Sequence, residues 1–455
     1  MFDSFRSRMA AVHKSEDLYF ASLLSAQTIT QVFGEARPIL DSARIYTTAV
    51  TVWTFLSQTL SLDHGCVQAV AKLIAFRLAR GQRPCSAQTG AYCIARDKLD
   101  EAAMHRLVTH TAQQAEDAAP DSWLWLGHRV ITGDGCTITM ADTAENQAAY
   151  PQQKTQKPGC GFPIMRCVVL FGLATGVVLE AALGKYQGKL TAEVSLFRQI
   201  DDIIGAGDVF LGDRVYSGWF DIARLMARDA QAVVRKHQAR RTDFRRGTRH
   251  GKDDHQVEWA KPARPSWMSE TEYKSYPNSL TLREVRIRVH TPGFRTREVI
   301  AVTTLLDPQE YSKEDIGALY RRRWQAELNL RSLKSVMQMD HLRCKEPHRV
   351  RNEMRAHLVA YNLIRQVMCE AAVHGQVSPW QISFKGTLTT VVELLPVLGS
   401  IQNPQEFSNV LLSCCLIHVV GNRPGRYEPR VVKRRPKPYK LMNKPRHAYK
   451  YGEAQ

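Results

Sequence analysis

Apolar residues return at helical spacing over Leu18 to Val32, Thr47 to Leu62 and Cys66 to Leu78, which predicts helices packed on a common core. A further helix is expected over Ala87 to Leu99, with Ser86 as its N-cap. At His128 the pattern changes to short apolar runs between turns. Arg129 to Thr132, Met165 to Leu173, Gly176 to Leu183, Val209 to Leu211 and Ala232 to Val234 read as strands, with helices over Thr191 to Ile204 and Trp219 to Ala227 among them. The first three strands follow one another directly, as in hairpins. From His237 to about Pro308 the alternation breaks, and strands recur at Leu282 to Val289 and Val299 to Leu305. Helical periodicity then returns, because Leu319, Ala326, Leu330, Leu333 and Met337 repeat at spacings of seven, four, three and four. Ser312 can cap that helix, and Glu314 and Asp315 place negative charge on the positive end of its dipole. Pro347 can start a helix running through Val373, and Thr387 to Leu398 predicts one more.

The polar side of the Ser312 helix carries candidate chemistry. At about 100° per residue, Tyr320, Arg323, Glu327 and Lys334 fall on one narrow stripe, so one acid sits among two cations and a phenol. A solvated face with Glu327 paired to Arg323 or Arg331 would carry the same residue types. Upstream, two aspartates stand at predicted strand ends, in Gly133-Asp134-Gly135 and Gly212-Asp213-Arg214. The glycines beside Asp134 permit backbone to pass close to whatever the carboxylate binds, although either aspartate alone also suits a turn or a cap. Asp142, Glu145, Asp201, Asp202 and Asp208 lie nearby without that strand-end placement.

The spacing Tyr-x2-Arg-x3-Glu-x6-Lys over Tyr320 to Lys334 resembles the YREK signature of DDE transposases from bacterial insertion sequences, in the family numbered four. Gly133-Asp134-Gly135, Gly212-Asp213-Arg214 and the polar loop with Asn146-Gln147, Tyr150-Pro151-Gln152 and Gln156-Lys157-Pro158-Gly159 are similar to further landmarks of that family. The resemblance implies that Asp134, Asp213 and Glu327 are catalytic metal-binding carboxylates, and that Tyr320, Arg323, Lys334 and Trp324 contact DNA. It also implies an α/β, ribonuclease H-like catalytic core, and the order strand, strand, strand, helix, strand, helix, strand agrees with that fold. The expected organisation is a helical DNA-binding domain over residues 1–120, the core over 121–236, a β-rich insertion over 237–310, the YREK helix over 311–345, a helical region over 346–420 and a basic Pro-rich tail over 421–455.

The implied reaction is cleavage at the ends of an insertion sequence and joining of the 3′-hydroxyls to target DNA. Two Mg2+ ions, or Mn2+, suit hard carboxylate oxygens and in-line displacement at phosphorus. The implied partners are double-stranded DNA, as element ends and as target, and a second copy of the chain in the paired-end complex. A two-metal nuclease that cuts without joining, and an inert end-binding repressor, are the alternatives. Some relatives pass through a DNA hairpin with a base stacked on Trp. No Trp occurs near Ile300 here, which leaves Trp259 or Trp267 as substitutes.

Composition fits a polyanionic partner, since 62 Lys and Arg against 44 Asp and Glu give a net charge of +18 over 455 residues. Eight Lys or Arg fall in residues 235–252 and eleven in 423–450, where five prolines oppose regular structure; that tail reads as a phosphate-binding arm or a solubilising one. Arg77, Arg80, Arg83, Arg96, Lys98 and Arg106 surround a turn at Gly81, as in a helix-turn-helix or a helical bundle with a basic surface. His250, Asp253, Asp254 and His255 read as a solvated polar cluster. The longest apolar run, Val410 to Val420, is half of what spans a bilayer, so a cytoplasmic protein without membrane association is expected. Ten cysteines without a C-x2-C pair predict reduced thiols and no zinc site.

Overall fold

The computed structural model describes residues 23–35, 44–79, 81–288, 298–394, 404–421 and 442–449. The first residues of the predicted Leu18 helix, Arg80, Val289, the end of the Thr387 helix and most of the basic tail lie outside the described residues. Helices α1 (Ala26–Val32), α2 (Thr48–Thr59), α3 (Cys66–Ala79), α4 (Gly90–Asp97) and α5 (Glu101–Asp117) come first. Ser25, Thr47 and Asp100 start α1, α2 and α5 by accepting from backbone N–H groups three residues on. Ser86 does not start α4, because its hydroxyl accepts from Gln88 N in a local turn and the helix begins at Gly90. Arg96 of α4 is turned inward, donating to Gln58 Oε1 at 2.9 Å and lying 5.0 Å from the centre of the Phe55 ring.

The sheet is built from β1 (Val130–Met140), then, after α6 (Ala144–Ala149), β2 (Ile164–Gly172) and β3 (Val178–Lys185). Next come α7 (Glu193–Phe197), β4 (Val209–Gly212), α8 (Trp219–Met226) and β5 (Gln231–Arg235). The predicted helix over Thr191 to Ile204 is thus only five residues of α7 and a 3-10 turn at Asp201–Ile203. β1, β2 and β3 pair as antiparallel neighbours, whereas β4 and β5 join β1 in parallel, in the order β3-β2-β1-β4-β5. β4 reads Val-Phe-Leu-Gly without polar alternation because it is covered on both faces.

The stretch after β5 does not leave the sheet. It supplies β6 (Thr248–Gly251), β7 (Asp254–Ala260), α9 (Glu270–Ser275), β8 (Ser279–Arg288) and β9 (Glu298–Thr303), and these extend the sheet from β5 as β9-β8-β7-β6. Asp254 and His255, read from sequence as part of a solvated cluster, are buried here because pairing of β7 with β8 sets Asp254 beside Arg283. Trp259 is buried as well, donating to Glu284 Oε1 at 3.2 Å.

Helices α10 (Lys313–Arg322) and α11 (Trp324–Arg331) follow, then strand β10 (His341–Leu342) beside the end of β1, and helices α12 (Pro347–His374), α13 (Phe384–Leu394) and α14 (Pro404–Leu416). Alternation divides the sheet's apolar residues between two faces. Ile131, Leu170 and Phe210 pack on Phe197 of α7 and Trp219 of α8. On the opposite face Val130, Val209 and Leu211 pack on Ile316, Leu319 and Tyr320 of α10, while Ile138 and Met140 belong with Ala326 and Leu330 of α11 and the buried side of α12. Among the described residues, no helix is long and apolar enough to cross a membrane and the cysteines are free thiols.

Candidate active site

Parallel pairing of β1 with β4 is short. Val130, Ile131 and Thr132 face Val209, Phe210 and Leu211, and β4 then ends at Gly212 while β1 continues along β2 to Met140. The same register, carried two residues further, sets Asp134 opposite Asp213 at the fork where the strands part. By alternation both belong to the face of Val130, Val209 and Leu211, which α10 and α11 cover. Asp134, inside β1 rather than at the strand end that the sequence suggests, and Asp213, just beyond the end of β4, therefore lie near one another although distant in sequence.

The glycines beside Asp134 have a different cause from the one expected. A side chain at residue 133 would strike Leu170 and Phe210, and a Cβ at residue 135 would stand 2.6 Å from Glu193 Oε2. Packing of the opposite face and the approach of another carboxylate require them. Glu193, first residue of α7, had no role in the sequence reading, and its one trace there is the missing side chain at Gly135.

Glu327 arrives from the opposite face. Ser312 caps α10 as expected, accepting from Asp315 N at 3.1 Å. The predicted unbroken helix is interrupted, however: α10 closes at Arg322, α11 starts at Trp324, and Ser332–Val336 forms a π turn. A π turn holds more residues than an α turn, so Lys334 leaves the position that regular α spacing assigns to it. It still lines the same cavity as Glu327. That cavity, of about 640 Å³, is walled by Asp134, Gly135, Glu193 and Glu327 together with Arg166, Arg331 and Lys334. Asp213, Tyr320, Arg323 and Trp324 are not part of its wall.

Acids and cations are equal in number in the cavity wall, three of each, but they are not paired with one another there. Burial pushes Asp134 up to about 6, with Glu193 and Glu327 adding to the rise, against a hydrogen bond from Gly135 N and the charge of Arg323. Arg323 donates to Glu327 Oε1 at 3.0 Å and is also influenced by Asp213 and Tyr320. Tyr320 is only 8 % exposed, and burial pushes its phenol up to about 12, so it stays neutral and able to donate. Trp324, at the break between the two helices, is 41 % exposed. Asp213 Oδ1 is buried and accepts no hydrogen bond, as is true of several other side-chain atoms among the described residues.

Other acids differ in being matched. Asp201 takes both Arg224 hydrogen bonds at 2.9 Å, and Asp208 accepts from Arg129 Nε at 2.8 Å. A compact trio, Asp97, Glu346 and His348, brings its ligand atoms within 4.8 Å of one another, closer than the described acids at the fork come as a set. There, hydrogen bonds from Arg349 and His348 hold Asp97 down to about 2, and Arg349 also pairs with Glu346, so its charge is already met.

Residues 125–363 match the family described as Transposase DDE domain. The chain is 27% identical over 430 residues to the transposase InsG of insertion sequence element IS4 from Escherichia coli strain K12, covering 91% of this chain and 92% of that protein. It is 39% identical over 69 residues to the transposase of insertion sequence element IS421 from Escherichia coli, which is 15% of this chain and 19% of that one. Among solved structures it is similar to the piggyBac transposase in a synaptic complex with hairpin DNA, at a TM-score of 0.38 and 8% identity over 88% of this chain and 82% of that one.

Proposed function

The chain belongs to the DDE transposases of the IS4 family, its match to the transposase DDE domain spanning more than half its length, and from that premise we propose that it cuts the ends of its element and joins them to target DNA at the fork of β1 and β4. The observation that supports this reading is the β1–β4 pairing, whose last partners, Thr132 and Leu211, each stand two residues before Asp134 and Asp213, on the face that α10 and α11 cover. The strand order β3-β2-β1-β4-β5, with helices on both faces, supports a ribonuclease H-like core, which β6 to β9 then interrupt. Residues 1–120 and the basic stretches hold element ends, and two copies act together in the paired-end complex.

Asp134, Asp213 and Glu327 would hold the divalent ions that the family uses, with Mg2+ or Mn2+ as the candidates. The fit rests on hard oxygen donors, the raised charge cost of the buried Asp134 carboxylate beside Glu193 and Glu327, and the unpartnered Asp213 Oδ1. Bound there, two ions would activate the attacking oxygen and stabilise the leaving one in line. In the first step a water oxygen attacks phosphorus, giving up its proton, and the 3′-oxygen leaves with its electron pair and is protonated; in the second, that 3′-hydroxyl loses its proton and attacks a target phosphorus, whose bond to the target's own 3′-oxygen breaks, that oxygen leaving with the electron pair and taking a proton.

The chain's own side chains position the DNA. Lys334 and Arg331 wall the cavity and suit phosphate oxygens as donors rather than metal ligands. Arg323 exchanges its bond to Glu327 for the scissile phosphate, and the buried Tyr320 acts through Arg323. Trp324 lies against DNA at the helix break. The test uses the purified chain, a labelled duplex bearing the element's end, and Mg2+ or Mn2+. Nicking followed by strand transfer is expected, with Asp134→Asn and Glu327→Gln binding the end yet cutting less than one-thousandth as fast, about 4 kcal/mol of barrier. Near-normal nicking by either variant sinks the assignment, and nicking without strand transfer by the unaltered chain would make it a nuclease.

A further inference from the structure

We propose that Glu193 is a fourth carboxylate of this metal site, acting as a ligand alongside Asp134; the inference rests on the reading above. Three independent features of the fold bring it there. Leu196 and Phe197 anchor α7 in the core, with Phe197 4.8 Å from the Phe210 ring centre and 4.9 Å from that of Tyr216. Gly135 then leaves the space that a Cβ would fill, so the Glu193 carboxylate rests against the β1 backbone one residue from Asp134. Finally, Tyr216, 1 % exposed and wedged between those rings, donates its hydroxyl to Glu193 Oε1 at 2.7 Å, which aims the head group.

A helix anchor does not account for this arrangement. Tyr216 would donate equally well to the amide oxygen of a glutamine, which carries no charge into a cavity already walled by Asp134 and Glu327. Among the described residues, no cation stands within salt-bridge distance of Glu193, whereas Asp201 and Asp221 on the same side of the sheet are each bonded to arginine. The Glu193 carboxylate therefore stands without an ion pair of its own beside the Asp134 and Glu327 carboxylates, whose mutual repulsion the cavity's Arg166, Arg331 and Lys334 do not bridge. A divalent cation is the ligand class that turns that repulsion into binding.

The test is Mn2+ binding to the full chain without DNA, measured by the electron paramagnetic resonance signal of free Mn2+. Glu193→Gln is expected to weaken Mn2+ by at least about tenfold, while its melting temperature in chelator is no lower than that of the unaltered chain. Tyr216→Phe should weaken Mn2+ by a smaller factor, since it frees the carboxylate without removing it. Unchanged Mn2+ affinity in Glu193→Gln overturns the proposal if Asp134→Asn does weaken the ion, because the site then exists without Glu193. Unchanged affinity in both variants, or no binding by the unaltered chain, would overturn the three-carboxylate site as well.

Discussion

Two parts of one sheet bury charge in opposite ways. Between β7 and β8, Arg283 has a side chain 0 % exposed and makes two bonds to Asp254, at 2.8 and 2.6 Å. Beside it Lys236 bonds both oxygens of Glu284, which also accepts from Thr242 and Trp259. The two buried acids there, Asp254 and Glu284, each have a cation. At the fork of β1 and β4, Glu327 is the one of Asp134, Asp213, Glu193 and Glu327 with a salt bridge among the described residues, to Arg323; Arg166, Arg331 and Lys334 wall the same cavity without bridging an acid, and one Asp213 oxygen has no donor. A matched buried pair is part of the fold, because losing either partner strands the other. An unmatched set raises the energy of the fold and persists where a ligand repays it.

The comparison predicts opposite signs for removing an acid in the two places. Asp254→Ala leaves Arg283 buried without its counterion and should lower stability by roughly 3–5 kcal/mol in urea unfolding, while the folded fraction retains its DNA-nicking activity. A loss below about 1 kcal/mol would show that the β7–β8 pair is not structural.

Asp134→Asn should instead raise the stability of the metal-free chain. The folded carboxyl titrates at about 6, above the usual value near 3.9, so its contribution is fully present below about pH 4 and is lost as pH rises through 6. The complete shift would correspond to about 3 kcal/mol, which solvent screening in an open cavity reduces to about 1–2 kcal/mol at pH 7. Urea titrations in chelator should show variant and unaltered chain converging toward pH 4 and separating above 6. Curves equally far apart at both ends would mean that Asp134 carries no buried-charge penalty.

The smallest effect separates the cations of the fork from its acids. Lys334→Ala should flatten the salt dependence of binding to element ends by about one unit of slope without changing the preferred sequence. An unchanged slope would leave Lys334 as a cavity wall that does not meet phosphate.

Much of the site was legible because its signals are local. The end of β4 near Leu211, with Asp213 just beyond, follows from a short apolar run; the strand expected to end at Thr132 instead continues through Asp134 to Met140, because β2 pairs with it across the Gly133-Asp134-Gly135 stretch that reads as a turn. The Ser312 cap needs only Asp315 N three residues away. The break at Arg323 and the π turn over Ser332–Val336 escaped that reading, since the apolar spacing of Leu319 to Met337 suits a straight helix equally well. Glu193 escaped it too, because the other acids of the cavity, Asp134 and Glu327, lie 59 and 134 residues away in the chain.

By itself the sequence determined which residues can carry chemistry, the short apolar run that brings β4 to Asp213, and the membership of the chain in its family. These depend on residue identity and on periods of a few residues. The tertiary structure alone decided that β1 and β4 pair for three residues and then part, that β9 joins β5 and makes the basic stretch a continuation of the sheet, and that Gly135 opens space for Glu193. Each of these is a contact between distant segments, set by which faces can be buried together, and no local pattern encodes the partner.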